Sequence, residues 1–156
     1  MKLPPRFIPI NVFNANVKPL IVDALASGKG IRHSTQDVIG AGPRTVAGVL
    51  EVKGFSPVIA PVDVFLDEKS RFRDYNVLLI SGMTSDLPAI QKSVRKWRKS
   101  NSGPVIIGGP AASEPDRVLS RTGGDIAVTG EGEYSLLELL DGGLESGKIP
   151  DNLEDV

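Results

Sequence analysis

Short, mostly apolar runs alternate along this chain with stretches in which apolar residues return every three or four positions. The runs are Leu20–Ala26, Pro57–Val62, Asn76–Ser81, Val105–Ile107 and Asp125–Val128. Each reads as a strand buried on both faces, since a strand with one wet face would alternate polar and apolar residues. Between them, Val46, Val49 and Leu50 form one helical stripe, and Leu87, Ile90, Val94 and Trp97 form another. The first helix has Pro43 in its opening turn and stops at Lys53-Gly54. Ser85 or Asp86 caps the second, with Pro88 in its first turn. Ser113 is placed to cap the next helix, with Asp116 three residues on and Gly123-Gly124 as its end. After the fifth strand a last helix turns Tyr134, Leu137 and Leu140 inward and stops at Gly142-Gly143.

Buried strands alternating with helices predict an α/β fold. It is a doubly wound, flavodoxin-like or Rossmann-like five-stranded parallel sheet, order 2-1-3-4-5, with helices on both faces. Residues 20–143 form that domain. Residues 1–19 are a lead-in or an extra edge strand around Arg6 to Phe13, and 144–156 read as the start of a linker to a further domain. A second option makes Arg6–Phe13 the first strand and Val17–Ala26 helical.

Composition narrows the chemistry. The formal net charge of -1 speaks against a nucleic-acid surface. The basic run Lys92, Arg95, Lys96, Arg98 and Lys99 falls on the solvated side of a helix whose apolar face holds Trp97. No apolar run reaches a membrane span, and Met1-Lys2-Leu3-Pro4-Pro5 does not read as a signal peptide, so the expected location is cytoplasmic. The chain has no cysteine and a single histidine, His33. Thiol chemistry within this stretch is excluded, and most zinc sites and catalytic triads go with it. No catalytic residue and no metal site emerge. Asp63, Asp67 and Glu68 read as loop acids, and Glu131 and Glu133 as first-turn residues favoured by the helix dipole.

Open parallel sheets bind ligands beyond the carboxyl ends of their strands, where the strand order reverses. Those mouths here are the loop Ser27 to Gly42, Ser81-Gly82-Met83-Thr84, Gly108-Gly109-Pro110 and Gly130-Glu131. Small residues at all four leave a slot for a long, thin group. Three familiar alternatives fail. Gly28-Lys29-Gly30 lacks the phosphate-loop pattern, and Gly40-Ala41-Gly42-Pro43-Arg44-Thr45 has threonine where a dinucleotide fingerprint needs glycine or alanine. The third strand ends Ile80-Ser81-Gly82, without the aspartate of a phosphorylated receiver.

The order and spacing of these motifs resemble the cobalamin-binding domain. "NVLLISGMTSDLPAIQKSV" is similar to its third strand and helix, where a Ser-x-Leu motif makes room for the cofactor's nucleotide tail; here it reads Ser81-Gly82-Met83. Gly108-Gly109 matches the glycine pair on the next strand, and the resemblance implies that Gly109 clears space for the cofactor's tail. "DIAVTGEGEYSLLELL" resembles the ending of cobalamin domains that precede a radical SAM domain. The resemblance implies cofactor contacts at Asp37, Ile39, Gly40, Gly42, Ser81, Gly82, Met83, Thr84, Gly108, Gly109, Pro110, Gly130 and Glu131. Many members carry Asp-x-His-x-x-Gly, with the histidine below cobalt. This chain has Asp37-Val38-Ile39-Gly40-Ala41-Gly42, and isoleucine cannot ligate. His33, upstream in the same loop, is expected to be solvated, so no residue of the chain is expected to bind the metal. The implied whole is a radical SAM enzyme, a methyltransferase or a catalyst of related radical chemistry. Its own C-terminal domain would hold a 4Fe–4S cluster and S-adenosylmethionine. The alternative is a structural or docking domain of such a protein, with a vestigial slot.

Overall fold

Every residue of Pro19–Asp23 is buried, as a strand at the centre of a covered sheet must be. This is β1 of the computed structural model, which describes residues 17–29, 40–67, 71–129, 136 and 147–149. With β2 (Val58–Pro61), β3 (Val77–Ser81), β4 (Val105–Gly108), β5 (Ile126–Val128) and β6 (Gly147–Ile149) it forms one sheet in the order β2-β1-β3-β4-β5-β6. All pairings are parallel. The first five strands stand in the order 2-1-3-4-5 that the sequence predicts. β6 extends the sheet beyond β5 within the stretch 144–156 that reads as linker. Residues 1–16 lie outside the described residues.

Helices α1 (Ala41–Val52), α2 (Val62–Asp67), α3 (Leu87–Ser100) and α4 (Pro115–Thr122) cover the sheet. Strand parity decides which side chains meet which helix. Leu20, Val22, Leu78, Ile80, Val105, Ile107 and Ala127 face one way and pack with Phe65 of α2, Ile90, Val94 and Trp97 of α3, and Val118 of α4. Ile21, Leu79, Ile106, Ile126 and Val128 face the other way, against Ala47 and Leu50 of α1 and against Leu136. Among the described residues, no helix is long and apolar enough to cross a membrane.

Three local expectations need correction. Asp63 and Asp67 are not in a loop but in α2, whose six residues are too few to show a helical repeat. Ser113 does not cap α4. It closes a 3-10 turn, Pro110–Ser113, and Glu114 stands at the N-cap, because Pro115 opens the helix and disfavours helical dihedrals in the residue before it. Asp86 does occupy the N-cap of α3, yet its carboxylate makes no capping bond there and serves a neighbouring loop instead. Gly123, with φ 80°, does end α4.

Lys96 links two of these helices. Its Nζ donates to the carbonyls of Phe65 and Leu66 at the end of α2, and lies 5.2 Å from the Phe65 ring centroid. Lys96→Met keeps most of the apolar stem and removes the donor. It is expected to cost about 1 kcal/mol, read from a urea midpoint. An unchanged midpoint would mean that water serves those carbonyls equally well.

Candidate functional site

The register of the sheet builds a slot at its carboxyl edge. On the face towards α1, Ile21, Leu79, Ile106 and Ile126 stand side by side across four strands. Two residues further along come Asp23, Ser81 and Gly108, again as neighbours, with Val128 two beyond Ile126 on β5. Large side chains thus fill the floor, and small ones leave the mouth empty over the central strands. Opposite stands the first turn of α1, with Ala41, Gly42, Pro43, Thr45 and Val46. The space between is a cleft of about 270 Å³ closed on a third side by Leu136.

The two glycines at the end of β4 play different parts. Gly108 is in extended strand, and a Cβ placed on it would meet nothing within 4 Å. Gly109 has φ 80° and ψ -173°, a region open essentially to glycine alone. A Cβ there would lie 2.9 Å from the Gly82 carbonyl oxygen and 3.0 Å from Ser81 Oγ. The open space thus lies over Gly108, while Gly109 is required by the turn.

Gly42, Ser81, Gly108 and Gly109 line the cleft. A Cβ on Gly42 would sit 3.4 Å from Ser81 Oγ, so α1 and β3 approach closely at the rim. Gly40, Gly82, Met83, Thr84 and Pro110 do not line the cleft. A Cβ on Gly82 would press on Ile90, Ala24 and Asp86, on the opposite face of the sheet. Asp37, Ile39, Gly130, Glu131 and His33 lie outside the described residues.

Sequence reasoning missed the apolar lining, Ile21, Val46, Leu79, Ile106, Val128 and Leu136. The available signal was parity, since Leu79 and Ile106 precede Ser81 and Gly108 by two. It also missed two buried acids. Asp23 Oδ2 accepts the N–H of Gly40 at 2.9 Å, and Oδ1 that of Leu25 at 3.0 Å, tying the start of α1 to the end of β1. Asp86, fully buried, accepts four backbone N–H groups, from Ala26, Ser27, Gly28 and Met83.

A family model for the B12 binding domain matches residues 29–140. The chain belongs to this family. The B12-binding domain is also similar to an uncharacterized protein of Methanocaldococcus jannaschii. They are 44% identical over 124 residues, covering 80% of this chain and 24% of that protein. It is 43% identical over 122 residues to an uncharacterized protein of Methanopyrus kandleri, covering 78% of this chain and 23% of the other. The domain thus spans about a quarter of the length of these curated relatives. Family membership supports cobalamin as the small molecule bound, and the slot fits it. The site is mostly apolar, open at the carboxyl edge, and empty where a side chain on Gly108 would stand. Its lining and the open space over Gly108 suit a flat, largely apolar group of modest size.

Proposed function

We propose that this B12-binding domain holds cobalamin with its nucleotide tail in the slot between β3, β4 and α1, without a histidine from the protein on cobalt. The observation that carries the reading is the coincidence of the family match with the open space over Gly108. Gly42, Ser81 and Gly108 would border the tail, with the apolar floor beneath it. Met83, Thr84 and Pro110 would lie around the macrocycle, together with Asp37, Ile39, Gly130 and Glu131. Bound cobalamin supplies a cobalt–carbon bond that can be broken and remade for group transfer. The chain's own residues bind the cofactor, orient it and keep water from its tail.

In the larger protein we read this domain as the N-terminal module of a radical SAM enzyme, a methyltransferase or a catalyst of related radical chemistry. The support is the resemblance of "DIAVTGEGEYSLLELL" to the ending of such modules, and relatives some four times longer than the matched stretch. The 4Fe–4S cluster and S-adenosylmethionine would belong to the partner domain, in line with the absence of cysteine here. A Cys-x-x-x-Cys-x-x-Cys motif in the remaining sequence of the relatives is the expected finding.

Mixing the chain with hydroxocobalamin, oxidised and reduced, and reading the visible spectrum of the eluted protein tests the binding. Retained colour is expected; none in either state would leave the structural or docking alternative. His33→Ala is expected to leave both spectrum and affinity unchanged. A spectral shift on that substitution would make His33 the cobalt ligand.

A further inference from the structure

The loop Leu25–Lys29 leaves β1 in a conformation that it could not hold alone. Ala26 has φ 57°, the left-handed region, and is the sole non-glycine described residue with a positive φ. Gly28 follows at φ 52°. Three successive N–H groups, of Ala26, Ser27 and Gly28, converge on the Asp86 carboxylate at 3.1, 2.8 and 2.7 Å. Such a nest of backbone donors suits an anion, and the anion here is the protein's own. The loop is further bound to α3, since the Gly28 carbonyl accepts from Ala89 N–H and the Lys29 carbonyl from Lys92 Nζ.

The same carboxylate reaches the next mouth. Oδ2, which takes the Ala26 N–H, also takes that of Met83 at 2.9 Å. Beyond it, the Gly82 carbonyl accepts the N–H of Ala111, so the turn after β4 is bonded to the turn after β3. Three adjacent mouths are therefore fixed to one another without a ligand. Leu25 and Met83 adjoin the two N–H groups that share Oδ2. They are 37% and 44% exposed, among the few large apolar side chains left to solvent in the described residues. Partly exposed apolar groups on two turns tied to one carboxylate, at the carboxyl edge of the sheet, suit an apolar cover.

We propose that Asp86 is a positioning residue of this site, holding Leu25 and Met83 as an apolar seat on which the cofactor's flat macrocycle rests. The proposal depends on the reading that the slot takes cobalamin. It adds a second contact surface, one that acts on the macrocycle rather than on the tail. The tail enters between Ser81, Gly108 and α1, and the chain from Ser81 to Met83 joins that slot to the seat.

Cobinamide, a corrinoid without the nucleotide tail, isolates the seat from the slot. The 156-residue chain, Asp86→Asn and the double variant Leu25→Ser/Met83→Ser are each titrated with cobinamide and with cobalamin, below the melting temperature of every protein. Both side chains are more than half buried, so the double variant should melt somewhat below the parent, and every titration is run where the protein is fully folded. Its affinity for both corrinoids should fall alike, by about tenfold or more. Asp86→Asn keeps one acceptor oxygen and should weaken both in parallel. Should Asp86→Asn fail to fold, the double variant decides. Unchanged cobinamide affinity in it, or a parent that binds cobalamin but not cobinamide, overturns the seat and leaves cofactor binding standing. A parent that binds neither overturns both.

Discussion

Gly108→Leu is expected to abolish cobalamin retention on a gel-filtration column while leaving the protein as stable as the parent. The strand position is extended, so leucine takes ordinary dihedrals there. The first atom of the new side chain meets nothing within 4 Å, and the rest projects over a floor of isoleucine and leucine. Replacing glycine in a strand removes unfolded-state freedom, and apolar contact with the floor adds to the gain. Melting temperature should stay level or rise slightly. The occupied space is the space that a tail needs, so affinity for cobalamin should drop by roughly 100-fold or more, equivalent to about 2.7 kcal/mol. Cobinamide, without a tail, should still bind. Equal loss of both corrinoids would mean that the cofactor does not use this slot.

Gly109→Ala should behave in the opposite way. At φ 80° and ψ -173° a Cβ carries backbone strain of about 1–3 kcal/mol. It would also stand 2.9 Å from a backbone oxygen of Gly82, which cannot swing aside as a side chain could. A combined loss near 3 kcal/mol would lower the Tm of a domain this size by roughly 10 °C. The fall should appear with no corrinoid in the solution. A melting curve unchanged by Gly109→Ala would show that the turn can adopt another shape.

The pair also shows where sequence reading stops. Two adjacent glycines at a strand end look alike as letters, and the dihedral angle that separates them is set by the turn into Pro110. The strands themselves were legible, because β1, β3 and β4 are covered on both sides and so carry unbroken apolar runs. The face of α3 was legible from Leu87, Ile90, Val94 and Trp97, all of which are buried. β6 was not, since three residues, Gly-Lys-Ile, give no period to detect. The floor of the slot was hidden because it depends on register between strands that lie tens of residues apart. Asp23 and Asp86 were hidden for a related reason. A single aspartate at an element's end usually serves its own turn, and Asp86 does so at Met83 but also serves backbone from another part of the chain.

That separation orders events during synthesis. Ala26, Ser27 and Gly28 leave the ribosome 60, 59 and 58 residues ahead of the carboxylate that holds them. At about 5–20 residues per second, the interval is roughly 3–12 s, long compared with loop closure. Throughout it the loop after β1 has only its local bonds, Ser27 N–H to the Ala24 carbonyl and Leu25 N–H to Asp23, and lacks the three that Asp86 supplies. A nascent chain that stops short of residue 86 can pair β1 with β2 but cannot set the strap. The rim of the slot is thus among the later parts to be finished, and the chain short of residue 86 has no completed site to offer a corrinoid.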